Sequence, residues 1–156
     1  ISLFDILRGQ MEDAVVVDLF AGTGSLGIEA LSRGAAFASF FDTDERSISV
    51  LRKNLDKLKF SDRASLHRSS AFSAQKFLSR PVDFVFIDPP YPFYFERAEE
   101  LISLGRSWAE GACLSPEGTL LVEHPPRVGW GESPPGLRRI DERTYGGTIL
   151  SFYQRS

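Results

Sequence analysis

Short apolar runs alternate along the chain with segments of helical periodicity. Runs rich in β-branched and aromatic residues predict strands at 15–19, 38–42, 64–68, 84–87 and 119–123. Apolar residues at helical spacing predict helices that contain 28–31, 48–58 and 98–108, and the end of a short helix at 3–7. Because strands and helices alternate, we expect an α/β fold with a doubly wound, mostly parallel sheet and helices on both faces. Its functional site should lie at the carboxyl ends of the strands.

The end of the chain predicts a hairpin, and nothing in the sequence divides the chain into two domains. Residues 137–143 and 148–153 have strand character and flank a Gly-Gly pair. The preceding segment, 124–136, is rich in proline and glycine, so we expect a mobile connection there. The sequence contains neither an internal repeat nor a low-complexity linker. Residues 1–156 are therefore expected to form one domain.

Three glycines lie between the first predicted strand and the helix that follows it. The spacing Gly22-x-Gly24-x-x-Gly27 permits a tight turn, lets the backbone approach a ligand, and lets the helix pack close to the strand. The first N–H groups of the helix then face the turn, with the positive end of the helix dipole behind them. We therefore predict a binding site for an anionic or strongly polar ligand. Its candidate residues in this turn are Phe20, Ala21, Gly22, Thr23, Gly24 and Gly27.

The glycines alone leave three cofactor classes open, and Asp18 narrows the choice. Asp42 lies 20 residues beyond Gly22, the spacing of a ribose-binding acid, while Asp44 is better suited to cap the next helix. This pattern fits a nicotinamide cofactor, a flavin or S-adenosylmethionine. Asp18, however, lies four residues before Gly22, where a carboxylate would repel a pyrophosphate and attract an ammonium group. The α-amino group of methionine is such a partner, so Asp18 favours S-adenosylmethionine.

The strand predicted at 84–87 ends in Asp88-Pro89-Pro90-Tyr91. Two consecutive prolines fix two backbone φ angles and remove two N–H donors, which leaves a stiff segment of carbonyl acceptors. Together with Asp88, these acceptors suit a planar amino group, and Tyr91 offers a ring on which a base can stack. Holding both N–H bonds of a base amine against fixed acceptors, in line with a sulfonium methyl, would lower the barrier to methyl transfer.

Segment 18–35, followed by Asp88-Pro-Pro-Tyr, resembles the class I methyltransferases of exocyclic amines. It is more closely similar to the bacterial enzymes that methylate N2 of a guanine in 16S ribosomal RNA. The similarity covers essentially the whole chain, with further matches at 3–4, 54–55, Glu123 and 145–153.

The resemblance implies a fold of seven strands with the last strand antiparallel to the rest. It also implies S-adenosylmethionine as the cofactor and 16S ribosomal RNA as the partner, within a small-subunit assembly particle. Asp88, Pro89, Pro90 and Tyr91 would then be the catalytic residues. The cofactor-binding set, besides the residues of the glycine turn, would be Asp18, Asp42, Thr43, Ser70 and Ala71. At the place of Ser70 this family usually has Asp or Asn, and a serine hydroxyl is shorter.

Composition and charge agree with a globular protein of a reducing compartment. Hydrophobic residues make up 42% of the chain, and no apolar run is long enough to span a membrane. The single cysteine, Cys113, excludes an intrachain disulfide, so we expect a cytoplasmic protein, most simply a monomer. A net charge of −3 disfavours binding to bare nucleic acid, although RNA met in a defined assembly is compatible with it. Because the chain begins at Ile1 rather than methionine, we expect a preceding segment.

Two other functions and two surface features stay open. The same Asp-Pro-Pro-Tyr chemistry serves DNA adenine-N6 methylation, and the chain could also be a cofactor-binding ribosome-assembly factor whose catalysis is secondary. Residues 92–95 are unusually aromatic, which fits either a lid packed on the sheet or a rim that stacks an extruded base. Arg138, Arg139 and Arg143 could face RNA phosphates or only solvent. His124 and Trp130 have no partner at metal-ligand spacing, so we predict no metal site.

Overall fold

The computed structural model describes residues 3–156, apart from the side chains of Ile6 and Tyr145. The strands in this range are β1 (Val15–Asp18), β2 (Phe37–Asp42), β3 (Ala64–Arg68), β4 (Val82–Ile87), β5 (Leu114–His124), β6 (Leu137–Tyr145) and β7 (Thr148–Arg155). The α-helices are α1 (Leu3–Ile6), α2 (Ser25–Ser32), α3 (Glu45–Leu58), α4 (Phe93–Glu96) and α5 (Ala98–Glu110). Two 3₁₀ segments lie at Ser61–Arg63 and Ala71–Phe77. No helix among the described residues is both long enough and apolar enough to cross a bilayer.

The strands form one sheet in the order β3-β2-β1-β4-β5-β7-β6. The pairs from β3 through β5 are all parallel, whereas β7 runs antiparallel to both β5 and β6. This topology confirms the expected doubly wound sheet, its antiparallel last strand and the closing hairpin. The direction of winding changes between β1 and β4, and in such sheets ligands bind at the carboxyl ends of the two strands that flank the change.

Both faces of the sheet are covered, which explains why its central strands are continuously apolar. Val16 of β1 and Phe40 of β2 point to a core shared with α1, α2 and α3. Their neighbours Val17 and Phe41 point to a second core that contains Trp108 of α5. Successive side chains of a strand alternate between faces, so each strand contributes to both cores. These cores fix the strand ends that carry the site.

Strand β5 is longer than the sequence predicts. Strand β5 begins at Leu114, five residues before the predicted start, with its register to β4 interrupted between Val82 and Phe84. This part of β5 contains Pro116 and Gly118, which broke the strand pattern. Gly118 is needed there because a Cβ atom would lie 2.9 Å from the carbonyl oxygen of Val82.

The Pro/Gly-rich segment before β6 is anchored at its centre. Trp130 is buried, and its ring centroid lies 5.3 Å from that of Tyr153 in β7. The Tyr153 hydroxyl donates a 2.8 Å hydrogen bond to the carbonyl of Gly131. A segment that the sequence predicts as a mobile connection therefore carries a core residue.

Gly27 sets the distance between α2 and the sheet. A Cβ atom at this position would lie 2.2 Å from Cε1 of Phe40, a ring that is fully buried. In an ordinary helix Gly→Ala stabilises by about 0.5–1 kcal/mol. Here Gly27→Ala should instead lower the free energy of unfolding by about 1–3 kcal/mol, because neither the ring nor the helix can move without disturbing the core.

Urea denaturation measures this effect directly. Ser25→Ala, at an exposed position in the first turn of the same helix, is the matched control and should change the stability by less than about 0.5 kcal/mol. A Gly27→Ala variant as stable as the parent chain would mean that α2 can shift away from β2.

Candidate active site

A cavity of about 430 Å³ opens at the carboxyl ends of β1, β2 and β4. Nine residues predicted from the sequence line it together: Phe20, Gly22, Asp42, Thr43, Ser70, Ala71, Asp88, Pro89 and Pro90. Five further lining residues are Leu19, Ser69, Phe72, Phe93 and Arg97. The glycine turn and the Asp-Pro-Pro segment, 66 positions apart in sequence, thus share one cavity.

Six other predicted site residues do not line this cavity: Asp18, Ala21, Thr23, Gly24, Gly27 and Tyr91. Gly24 and Gly27 make close packing possible, since a Cβ atom on Gly24 would lie 2.1 Å from Cδ1 of Leu51. Gly24 also has a φ of +91°, which an L side chain rarely adopts. Gly24 and Gly27 let α2 pack against Leu51 and Phe40, whereas Gly22 is the glycine that lines the cavity.

Asp42 holds the glycine turn in place. Its Oδ2 accepts a hydrogen bond of 2.8 Å from the N–H of Gly22, and its Oδ1 accepts one of 2.8 Å from the N–H of Asp44. Gly22 has a φ of +56°, which glycine adopts without strain, so its N–H can point to Asp42. Asp44 caps α3, accepting from the N–H groups of Arg46 and Ser47, as its position predicted. Each carboxylate oxygen of Asp42 retains a lone pair for a further donor in the cavity.

Asp18 lies below the cavity, next to the lining residues Leu19 and Phe20. The residue is 1% exposed, and its Oδ1 has no hydrogen-bond partner among the described residues. Burial, followed by the charge of Asp88, raises the pKa of Asp18 from 3.8 to about 7, although the N–H groups of Gly27 and Phe20 oppose the rise. A buried carboxyl with an unsatisfied oxygen is unusual and suits a cationic or N–H-bearing ligand.

The far end of the cavity is aromatic. The Ser70 hydroxyl accepts a 3.1 Å hydrogen bond from the N–H of Phe72 and so caps the 3₁₀ turn that follows. The guanidinium carbon of Arg97 lies 4.7 Å from the ring centroid of Phe72 and 4.5 Å from that of Phe93. Glu100 holds this guanidinium through contacts of 3.1 and 2.7 Å. Sequence reasoning identified Phe93 only as one of the aromatic residues of 92–95 and did not identify Arg97, because only the fold of α4 and α5 brings them to this cavity.

Asp88 lies beside Glu123 because of the strand register. Ile87 of β4 pairs with Val122 of β5, so the next residue of each strand meets the other at the sheet edge. Although Asp88 is exposed at the cavity, desolvation by its surroundings, followed by the charge of Glu123, raises the pKa of Asp88 to about 7. The sequence flagged Glu123 only through the family resemblance.

A second cavity of about 260 Å³ adjoins the first. Asp88 and Pro89 line both cavities, so the two cavities meet at these residues. The other residues of the second cavity are Tyr91, Tyr94, Glu123, His124, Pro125, Gly147 and Thr148. A group bound in one cavity can thus meet a group bound in the other beside Asp88.

The aromatic residues after Tyr91 differ in their exposure. They form the short helix α4, in which Tyr94 is buried and its hydroxyl donates a hydrogen bond to the Glu123 carbonyl. Burial raises the pKa of Tyr94. Tyr91 and Phe95 are 62% and 58% exposed, with their ring centroids 5.1 Å apart. Tyr94 packs inward, whereas Tyr91 and Phe95 form an exposed rim.

Both histidines have structural partners. His67 stacks on Phe41 at 4.6 Å between ring centroids, and burial lowers its pKa. His124 donates from Nδ1 to the carbonyl of Pro125 at 2.9 Å, so its Nε2 accepts from the Ser151 hydroxyl at 2.8 Å. Across residues 3–156, no group of three or more His, Cys, Asp or Glu side chains is placed to hold a metal ion.

The comparisons with known proteins cover nearly the whole chain. The family model described as conserved hypothetical protein 95 matches residues 1–154. Ribosomal RNA small subunit methyltransferase D from Haemophilus influenzae is 38% identical over 162 residues, which cover 98% of this chain and 78% of that protein. The protein of the same name from Escherichia coli K12 is 34% identical over 157 residues, covering 99% and 75%.

A solved structure from Streptococcus pyogenes, described as a conserved hypothetical protein, has the same fold. It matches with a TM-score of 0.86 and 27% identity over 99% of this chain and 93% of that chain. The family model and the two relatives, each more than 30% identical, show that the chain belongs to the conserved hypothetical protein 95 family, alongside the ribosomal RNA small subunit methyltransferase D proteins.

Proposed function

We propose that this chain transfers a methyl group from S-adenosylmethionine to the exocyclic N2 amine of a guanine in 16S ribosomal RNA. One observation carries the proposal: the glycine-turn cavity and the second cavity meet at Asp88. A methyl donor in one cavity and an amine in the other would then lie next to each other beside Asp88, where the amine nitrogen can reach the methyl group directly and displace the sulfur. The relatives named ribosomal RNA small subunit methyltransferase D support ribosomal RNA as the substrate. We further propose that the RNA is met within a small-subunit assembly particle.

The residues of the first cavity fit S-adenosylmethionine. The buried, unpartnered Oδ1 of Asp18 suits an ammonium group and disfavours a pyrophosphate. Asp42 would hold the ribose hydroxyls, since each of its oxygens keeps a free lone pair. Ser70, Ala71 and Phe72 would hold the adenine at the aromatic end of the cavity. When bound, this cofactor supplies an electrophilic methyl group on a sulfonium.

The residues around Asp88 fit the amine. An exocyclic amine is a weak nucleophile, because its lone pair is conjugated into the base. Carbonyl and carboxylate acceptors at Asp88 and Pro89 would hold its N–H bonds and so orient the nitrogen, which lowers the entropic part of the barrier. As the N–C bond forms, one N–H proton becomes acidic and must leave. Asp88, whose pKa is raised to about 7, is placed to accept this proton.

Asp42 should dominate recognition of the ribose. Asp42→Ala removes the carboxylate that faces the cavity and also releases the N–H of Gly22, so we expect at least about a tenfold loss of affinity for S-adenosylhomocysteine. The matched control is Asp44→Ser, which keeps a capping oxygen for α3 and should leave the affinity within about twofold. Isothermal titration calorimetry measures both variants. Equal losses of affinity in the two variants would contradict the proposal that Asp42 binds the ribose.

Mass spectrometry of ribosomal RNA tests the whole proposal. Small-subunit RNA from a strain that lacks the gene should lose one N2-methylguanine, and adding back the purified protein with S-adenosylmethionine should restore it. Unchanged ribosomal RNA with loss of N6-methyladenine from DNA would identify a DNA methyltransferase. Defective particle assembly with unchanged methylation would identify an assembly factor. Either result would overturn the proposed function.

A further inference from the structure

The second cavity presents two carboxyl groups side by side to whatever enters it. Asp88 and Glu123 are neighbours across the β4–β5 register, and both line the cavity. Because they follow the paired residues Ile87 and Val122, they leave the sheet edge next to each other, where one edge of one planar molecule can contact both. Asp88 is exposed and Glu123 is half-buried, so both acceptors can be reached from the cavity. A ligand that displaces water from both carboxyl groups must match them with two adjacent donors, because an acceptor that loses its water without gaining a donor is costly.

Two buried polar side chains near this pair, Tyr94 and His124, have partners elsewhere, while the Thr148 hydroxyl also lines the cavity. The Tyr94 hydroxyl donates to the Glu123 carbonyl, and both ring nitrogens of His124 are engaged with Pro125 and Ser151. The exposed ring of Tyr91 lies at the mouth of the cavity and can cover a flat ligand. The hydrogen-bonding groups that a planar ligand meets in this cavity are therefore mainly the two carboxyl groups.

Among the RNA bases that carry an exocyclic amine, guanine alone has a second donor next to it. Its N1–H and N2–H₂ groups form one edge of adjacent donors. In adenine and cytosine the amine is flanked by a ring nitrogen acceptor, which two carboxyl oxygens would repel unless the nitrogen were protonated.

We infer that Glu123 determines the specificity for guanine by accepting a hydrogen bond from N1–H while Asp88 accepts from the N2 amine. This inference rests on the proposed function and extends it from the amine to the base that carries the amine. Glu123 contacts the substrate at an atom that does not react. Its loss should therefore change which base is chosen more than whether methyl transfer can occur.

The base analogue 2-aminopurine provides the test, because it keeps the N2 amine but has an acceptor at N1. Small-subunit particles are reconstituted with ligated 16S ribosomal RNA that carries guanine or 2-aminopurine at the methylated position. The parent protein should prefer guanine in kcat/KM by about 100-fold, the effect of a hydrogen bond to a charged group. In Glu123→Gln the preference should fall below about tenfold, because the side-chain amide can donate to N1 of 2-aminopurine.

Glu117→Gln, an exposed change on the same strand, is the matched control and should keep the parent preference. Thermal unfolding and S-adenosylhomocysteine affinity establish that Glu123→Gln is folded. Should its turnover be too low to measure, equilibrium binding of the two particles gives the same ratio. A parent-like preference in Glu123→Gln overturns the inference. If the parent protein methylates neither particle, the proposed function itself has failed.

Discussion

Asp88→Ala should lower kcat for methyl transfer by about 10³-fold or more and leave the affinity for S-adenosylhomocysteine within about tenfold. The carboxyl of Asp88 lies at the place where the two cavities meet, where it can hold the amine and take its proton. Those interactions grow as charge develops on the nitrogen, so their loss affects the transition state more than the bound cofactor. The proline carbonyls remain in the variant, which should preserve some residual orientation of the amine.

Single-turnover kinetics and calorimetry separate the two effects in the same preparation. Asp62→Ala, an exposed acidic position outside both cavities, controls for the loss of one negative charge. Turnover close to that of the parent protein would show that Asp88 takes no part in the reaction. A loss of S-adenosylhomocysteine binding by orders of magnitude would instead place Asp88 in the cofactor site alone.

The two halves of the site could be predicted from sequence because each is a local pattern at a strand end. The three glycines after β1 and the Asp-Pro-Pro segment after β4 each combine a buried strand with a stiff or sharply turned segment. Parallel strands place their carboxyl ends at one edge, so the two motifs had to approach each other. The family resemblance is confirmed, and it supplied the antiparallel direction of the last strand relative to the rest of the sheet.

The residues that were missed depend on packing between distant segments. Arg97 shows no sequence signal, because its position between two phenylalanine rings follows from the way α4 and α5 fold back over the cavity. The early start of β5 was also missed, since Pro116 and Gly118 are residues that interrupt strand patterns. A role for Glu123 could not be inferred from its own position in the sequence, because it depends on the β4–β5 register that sets Glu123 beside Asp88.

Asp18 illustrates how a buried carboxyl group can lower the stability of the protein that contains it. Its pKa of about 7 in the folded chain exceeds the ordinary value of 3.8, so the folded chain holds the proton more tightly than the unfolded chain. Between about pH 4 and pH 7 the stability must therefore fall as the pH rises, and above pH 7 the loss is constant. At about 1.4 kcal/mol for each pKa unit, the full loss is roughly 4 kcal/mol, of which a substitution that introduces an amide should recover only a part.

Asp18→Asn should therefore raise the free energy of unfolding at pH 8 by about 2–4 kcal/mol, with the gain shrinking to within about 1 kcal/mol near pH 4. An amide cannot ionise, so the variant avoids burying a charge next to Asp88. The same change removes the negative charge proposed to face the ammonium group of the cofactor. Affinity for S-adenosylhomocysteine should consequently fall by at least about tenfold while the stability rises.

Urea denaturation at pH 4.5 and pH 8, with calorimetry at pH 8, measures both consequences of Asp18→Asn. Asp62→Asn, at an exposed position, should show neither a pH-dependent gain in stability nor a loss of affinity. A gain that is equal at the two pH values would mean that Asp18 already carries its charge at low pH. A more stable variant with unchanged affinity would mean that this buried carboxyl does not face the cofactor. The negative charge of Asp18 would then make no contribution to the binding of S-adenosylhomocysteine.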